Sequence, residues 1–273
     1  MTQLNADEKE PTIEEKELAR QADQARLVAV RLVGLQGLGY LGQVMSSAEL
    51  LTVAMAAWLR PNLDRFVLSP SHYVTGVYAV ANVLGWLDDD VLETYGRDGS
   101  GLEAIGSERT PFVDYTCGSL AQGLSVGIGY ALADRLAGSD AKTLVFSSDG
   151  EMEEGQTWEA ALFAAHHRLD SLTVLLDCND SQVDGPVSTV TSIEPVSAKW
   201  EAFGWEAHEV DGHDTTAIWS AMTTGRDGRP RVVAARTSPA AGLEAMNGTD
   251  AHFVKLSDEL AGRLTAELTE RIS

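Results

Sequence analysis

Two short runs in the middle of the chain carry side chains suited to holding a hard cation. The first is Val145-Phe146-Ser147-Ser148-Asp149-Gly150-Glu151; the second is Leu176-Asp177-Cys178-Asn179-Asp180-Ser181, followed by Gln182-Val183-Asp184-Gly185. Each begins in an apolar stretch that reads as a β-strand, and one helical stretch separates them. On neighbouring parallel strands, Asp149 and Asn179 would meet at one sheet edge, beyond the carboxyl ends where ligands of such sheets collect. A carboxylate, an amide oxygen and a loop carbonyl, with no imidazole or thiolate in the set, suit Mg²⁺, which prefers oxygen ligands and often completes its shell from phosphates. Gly150 leaves room for a phosphate oxygen to approach the backbone. The helix opening at Glu154-Gly155-Gln156 offers free N–H groups to an anion. Alone, Asp149 reads as a turn starter and Asn179 as a helix cap; together, one crossover helix apart, they point to a metal-bound diphosphate.

The elements that must place these residues are legible on either side. Residues 1–12 read as a flexible acidic tail and 13–273 as a single diphosphate- and Mg²⁺-binding domain. From Thr12, TIEEKELARQADQARLVAVRLVGLQ has apolar residues at helical spacing behind a Thr12…Glu15 capping box, and Gly34, Gly37, Gly39 and Gly42 predict its end. A second helix is expected from Ser46 or Ser47 to Pro61. RFVLS reads as a strand, SHYVTGVYAVANVLGWL as a buried helix, and GSLAQGLSVGIGYALADRLA as a small-residue helix made for close packing. KTLVFSS and SLTVLLDCN are apolar strands around the helix EGQTWEAALFAAHHRL. WEAHEVDGHD, DTTAIWSAMTTG and RPRVVAART give strand, helix and strand, and VKLSDELAGRLTAELTERI a terminal amphipathic helix. Strands apolar on both faces and separated by helices predict an α/β fold, a parallel sheet covered by helices on both faces.

Composition narrows the function. The chain has 273 residues, with 20 Lys plus Arg against 41 Asp plus Glu, a formal charge of −21. Such acidity repels a polyanion and speaks against a dedicated nucleic-acid binder. No uninterrupted apolar run reaches about 18 residues, so no membrane span is expected. The start, MTQLNADEKEPTIEEKE, has the wrong chemistry for a secretory or mitochondrial leader. Cys117 and Cys178 make neither a disulfide framework nor a four-thiolate zinc site. A cytoplasmic protein is expected.

Taken together, SSDGEMEEGQTWEAA, NDSQVDG and the preceding TCGSLAQGLSVGIGYALA resemble the N-terminal, thiamine-diphosphate-binding half of transketolase, whose pattern is a GDG turn, EGQ-x-WEA, then an Asn with a Q-x-DG tail. RFVLSPSH at 65–72 and VDGHD at 210–214 fit as well, and the resemblance runs from about Arg31 to the C-terminus. It implies the thiamine-diphosphate-binding fold, with Asp149 and Asn179 on Mg²⁺ through side chains and Ser181 through its backbone oxygen. Gly150 would contact the diphosphate, and Gly118, Ser119 and Leu120 would lie against the aminopyrimidine ring. Glu154, with Glu159 close by, would join a carboxylate network at a subunit interface. His72 would face the diphosphate and the substrate channel, and His252 matches a second channel histidine. His72, His252 and Glu154 are thus the candidate catalytic residues. Glu151 is counted with the cofactor-binding residues, its carboxylate, like that of Glu153, being read as a solvated charge at the helix start. Trp158, His166, His167, His213, Cys117 and Cys178 are read as structural, the two cysteines as small buried residues.

In the family, thiamine diphosphate is the electron sink for breaking a carbon–carbon bond beside a carbonyl. The glutamate that engages its pyrimidine lies in a second half, C-terminal to this region. The chain stops at Ser273, so the resemblance implies one component of a split enzyme, inactive without a pyrimidine-binding subunit and assembled as an α2β2 heterotetramer. The family's G-H-P-G stretch reads here as Gly39-Tyr40-Leu41-Gly42, Ser71-His72 stands for a G-H pair, and GSERTPFVDYTCGSL carries no histidine. Channel histidines bond sugar hydroxyls, so their loss implies a donor other than the usual ketose phosphate: an α-keto acid such as pyruvate, or a modified sugar. Two other readings compete. One is the α subunit of a thiamine-dependent 2-oxo acid dehydrogenase, which shares the Asp…Asn cation site but is less well matched by EGQ-x-WEA and Q-x-DG. The other is a non-catalytic cofactor-binding scaffold, against which the intact Asp149, Gly150 and Asn179 argue.

Overall fold

The computed structural model describes residues 15–225, 227–249 and 252–273. The acidic tail expected over 1–12, and Thr12 of the capping box, lie outside them. Helix α1 (Glu15–Gln36) leads through a two-residue strand β1 (Leu38–Gly39) into helix α2 (Leu41–Val53) and one π turn (Ala54–Trp58). Strand β2 (Arg65–Pro70), helices α3 (Val74–Val83) and α4 (Asp89–Leu92), strand β3 (Tyr115–Cys117) and helix α5 (Gln122–Leu136) follow. The centre alternates strand β4 (Thr143–Ser148), helix α6 (Gly155–His166) and strand β5 (Leu172–Cys178). Helices α7 (Val187–Val190) and α8 (Val196–Ala202) precede strand β6 (Glu206–Asp211), helix α9 (Thr215–Thr223) and strand β7 (Arg231–Arg236), and the described chain ends with strand β8 (Val254–Lys255) and helix α10 (Asp258–Ile272).

The six-stranded sheet has the order β3-β2-β4-β5-β7-β6, and every pairing in it is parallel. Successive residues of a strand point to opposite faces, and the packing follows that alternation. Phe66, Leu68, Leu144, Phe146, Leu175 and Val233 lie in one core with residues of α1, α2, α3, α9 and α10. Val67, Val145, Val174, Leu176 and Val232 lie in a second core with residues of α5, α6 and α8. The expected covered parallel sheet is therefore present. The outer strand β6 departs from the expected pattern: its residues are half-buried or exposed, as an edge position permits.

Helix α1 buries Leu18, Ala22, Ala25, Ala29, Leu32 and Val33, a stripe at steps of three and four residues that turns one face to the core. It stops at Gly37, which takes the left-handed φ of +72° and returns its N–H to the Gly34 carbonyl. Helix α10 starts at Ser257, whose side chain accepts the Leu260 N–H at 3.2 Å, and buries Leu264 and Leu268. Helix α2 corrects the expected start at Ser46 or Ser47: it begins at Leu41, with Gly42 inside it and every residue to Val53 buried. A glycine costs a helix interior about 1 kcal/mol, which burial of Leu41, Val44 and Met45 outweighs at roughly 1.5–3 kcal/mol for each fully buried side chain. No helix among the described residues is long and apolar enough to cross a membrane.

Helix α5 begins later than the GSLAQ run suggested, because residues 118–121 form a loop ending at Ala121 with φ +63°. Its glycines seat it on the sheet. A Cβ on Gly123 would come within 2.4 Å of the Ser69 side chain and 2.6 Å of the Ser69 Cα, and no rotamer change relieves a backbone contact. Gly123→Ala is expected to lower stability by about 1–3 kcal/mol, the range for overpacking a close contact; urea unfolding checks it, and an unchanged midpoint would contradict the close approach.

Candidate active site

Strands β4 and β5 lie side by side with Ser148 opposite Asp177. After β4 the chain turns through a 3-10 segment, Asp149–Glu153; after β5 it enters the loop that carries Asn179 and Ser181. The two strand ends are laced together. Asp149 accepts the Asp180 N–H at 2.7 Å on one oxygen and the Gly150 N–H at 2.9 Å on the other, and the Asn179 carboxamide oxygen accepts the Ser181 N–H at 2.9 Å. Above them a hollow of about 340 Å³ is lined by His72, Gly118, Leu120, Gly150, Ser181 and His252, together with Tyr40 and Tyr73. Asp149 and Asn179 stand in the wall behind it, 3% and 4% exposed.

The electrostatics of this edge differ from the rest of the interior. Elsewhere buried charge is paired: Arg26 with Glu49, Asp64 with Arg60, Asp134 with Arg65, Arg231 with Glu206. Among the described residues no ion pair reaches Asp149, Glu151 or Asp177, all buried. Burial, reinforced by the charge of Asp177, pushes the Asp149 carboxyl up to about 7. Burial likewise raises Glu151 and Asp177, against the hydrogen bonds that favour their ionised forms. A larger cavity of about 460 Å³ opens between Met55, Trp86 and Phe112 at the amino end of β2, where the buried Asp64 is satisfied by Arg60 and the Lys142 N–H. The hollow at the carboxyl ends of the strands, by contrast, adjoins buried carboxylates that no ion pair reaches among the described residues.

Glu151 corrects the expectation of a solvated helix-start charge. It is fully buried, accepting from Ser69 Oγ at 2.6 Å and the Ala121 N–H at 2.7 Å on one oxygen, and from Ser147 Oγ at 2.6 Å and the Ser148 N–H at 3.3 Å on the other. Its four donors place it beneath the 118–121 loop. The run Ser148-Asp149-Gly150-Glu151 is a capping box, a signal present in the sequence. Glu153 is half-buried, with Gln182 Nε2 at 3.4 Å. Asp177, Tyr73 and Ser46 are further residues that the motifs did not single out. Asp177 had a signal, a lone acid inside an otherwise apolar strand; Tyr73 and Ser46 read as ordinary helix residues.

The upper wall is aromatic. Tyr40 stacks at 5.0 Å from the His72 ring, 5.6 Å from His252 and 5.0 Å from Phe253, and the two imidazoles are 5.6 Å apart. Gln43 Nε2 lies 2.6 Å from His252 Nδ1. Glu154, Glu159 and Ser119 are exposed and do not line the hollow. Trp158 packs on Trp200 and Phe203 as expected. His213 braces the chain, Nε2 accepting the Ser238 N–H at 3.0 Å with Nδ1 3.2 Å from Glu49, and His166 and His167 end α6 in solvent. Cys178 is buried, whereas Cys117 is half-exposed rather than buried.

Burial, with the nearby His252, depresses His72 to about 3. An unfolded histidine protonates near pH 6.5, so on acidification the unfolded chain takes up a proton that native His72 refuses. His72 therefore withdraws stability as pH falls below about 6.5. His72→Asn is expected to flatten the fall in unfolding free energy between about pH 6.5 and 4.5, measured by urea titration; an unchanged slope would show that His72 titrates normally.

Comparison with known proteins agrees with this geometry. A family model described as the thiamine diphosphate binding domain of transketolase matches residues 18–268, beginning within α1 and ahead of Arg31. The chain is 36% identical over 255 residues to an uncharacterized transketolase family protein of Sinorhizobium fredii, covering 89% of this chain and 91% of that one. It is 34% identical over 264 residues to a 6-deoxy-6-sulfo-D-fructose transketolase subunit of a Clostridium species, covering 92% and 96%. It matches the transketolase of Leishmania mexicana with a TM-score of 0.85 and 27% identity, over 92% of this chain and 41% of that one. It thus spans about two fifths of the length of that solved enzyme. Matched over most of its length, the chain belongs to the transketolase family, of which it is a thiamine-diphosphate-binding domain.

Proposed function

We propose that this chain is the diphosphate- and cation-binding component of a two-component transketolase-like transferase that moves a two-carbon ketol or acyl unit. The observation that carries the reading is the cluster of unpaired buried carboxylates at adjacent strand ends, behind a hollow whose floor includes Gly150 and Ser181. A buried acid whose proton affinity is raised by burial and by a neighbouring buried carboxylate is an arrangement that a divalent cation relieves. The donors, Asp149, the Asn179 amide and the Ser181 carbonyl, are hard oxygens that fit Mg²⁺. Among the described residues no group of three or more His, Cys, Asp or Glu is placed to hold a metal; the proposed set needs only one carboxylate, the remaining places suiting phosphate oxygens.

Thiamine diphosphate, when bound, would supply the electron sink for cleavage beside a carbonyl. The chain's own residues bind and orient. Gly150 leaves a place for the diphosphate, and the 118–120 loop, whose Gly118 and Leu120 line the hollow, would take the ring. His72 stays uncharged at neutral pH, so it offers hydrogen bonds to a substrate oxygen without bringing charge, and His252 stands across the same mouth. The face of α6 that carries Glu159 also exposes Leu162 and Phe163, 58% and 44% accessible, which suits cover by a pyrimidine-binding subunit in an α2β2 assembly. The relative named a subunit has nearly the same span as this chain. For the donor we propose a modified ketose or an α-keto acid. Tyr40 occupies the mouth, and among the described residues no Lys or Arg lines the hollow.

Turnover is expected only when the partner subunit is present. Asp149→Ala in that complex should lower kcat by at least about a hundredfold, at or beyond the upper end of the range for residues that merely orient ligands. Steady-state assay against ketose phosphates, sulfo-ketoses and α-keto acids checks both; turnover by the chain alone, or full activity of the variant, would refute the proposal.

A further inference from the structure

Asn179 is held so that the two ends of its amide are not interchangeable. The Ser181 backbone N–H, which can only donate, meets one end at 2.9 Å, so that end is the oxygen. The nitrogen at the other end lies 3.1 Å from the Tyr73 hydroxyl, 3.0 Å from Ser46 Oγ and 3.1 Å from Asp177 Oδ2. Both hydroxyls pass their own protons to Asp177, Tyr73 at 3.0 Å and Ser46 at 2.6 Å, which leaves their lone pairs to receive the amide hydrogens. All four side chains are buried, Tyr73 at 2% and Asn179 at 4% exposure. The ring of Tyr73 packs 5.1 Å from Phe146, a contact that a phenylalanine would make equally well. The hydroxyl adds nothing to that ring contact; its partners are Asp177 and the Asn179 amide itself.

We infer that the Tyr73 hydroxyl is a positioning group for the cation site: with Ser46 and Asp177 it turns the nitrogen of the Asn179 amide inward and its oxygen to the 180–181 loop, where Asp149 is also bound. The inference rests on the cation assignment proposed above. An amide rotated end for end would present two N–H hydrogens to a cation, and the two orientations have nearly the same shape, so polar partners decide between them. Groups that orient a metal ligand typically change metal affinity by ten- to a hundredfold.

Mn²⁺ is the probe, titrated by electron paramagnetic resonance into the full chain with its partner subunit and saturating thiamine diphosphate. Tyr73→Phe is expected to weaken Mn²⁺ binding about tenfold or more in protein that still unfolds cooperatively in EDTA; Ser46→Ala, which touches the same amide from α2, should act in the same direction. Asp149→Ala is the control that removes a ligand. Unaltered Mn²⁺ affinity in Tyr73→Phe and Ser46→Ala, beside loss in Asp149→Ala, overturns the inference and leaves the cation assignment standing. A lowered EDTA melting temperature without weaker Mn²⁺ binding also overturns it, assigning the hydroxyl to folding alone. Failure of the unmodified protein to bind Mn²⁺ overturns the cation assignment, and the inference with it.

Discussion

Three carboxylates buried without a cationic side chain among the described residues govern the ends of β4 and β5. Taking an ion out of water costs several kcal/mol even in a relaxed protein interior, and this fold meets that cost at Asp149, Glu151 and Asp177 with N–H and O–H donors alone. The same chain places Arg26 against Glu49 and Arg231 against Glu206 where buried charge only holds helices and strands together. The contrast separates structure from function. Neutral donors offset part of that cost but bring no opposite charge, so burial still raises the proton affinity of all three acids. Such an edge is what the proposed cation would relieve, and the cation in turn would carry a diphosphate that the acids alone would repel.

Glu151 shows how that edge is made rigid. One of its oxygens reaches across to the 118–121 loop and to Ser69 on β2, the other back to β4. Ser69 in turn accepts the Gly123 N–H at 3.1 Å. A single carboxylate thus ties together β2, β4 and the entry to α5, and holds Ala121 at a φ of +63° that an alanine adopts only at a cost of about 1–2 kcal/mol. The loop with Gly118 and Leu120 and the turn with Gly150 form two sides of one hollow. Fixing both to one side chain keeps their separation constant.

Much of the sheet was legible before the structure, because β4 and β5 are continuous apolar runs with oxygen-rich ends, and such runs belong to strands covered on both faces. The pairing of Asp149 with Asn179 followed from one crossover helix between parallel neighbours. Other features leave little local trace in the sequence, for physical reasons. The three residues of β3 are too few to show a period. An acid at a helix start, as Glu151 is, usually lies in solvent, and only the S-x-x-E spacing of its capping box speaks for burial. Tyr73 sits in a run that reads as an apolar helix, and nothing local reveals that its hydroxyl meets two residues more than a hundred positions away.

Helix α2 carries the clearest such signal. It was expected to start at Ser46 or Ser47, yet its first turns hold the polar residues that matter. Gln43 reaches His252, Ser46 reaches Asp177 and Asn179, and Glu49 reaches Arg26 and His213. Steps of three residues keep all of them along one side of the helix, while Leu41, Val44, Met45 and Leu50 fill the core around them. Polar side chains on a wholly buried helix lower stability unless each finds a partner. A stripe of them is tolerated where each meets a partner: Ser46 meets Asp177 and Asn179 at the end of β5, Gln43 meets His252 beside the hollow, and Glu49 meets Arg26 in an ion pair that holds α2 to α1. The helix is thus at once part of the core and the backing of the β5 end, and its polarity is read correctly only against the sheet edge it faces.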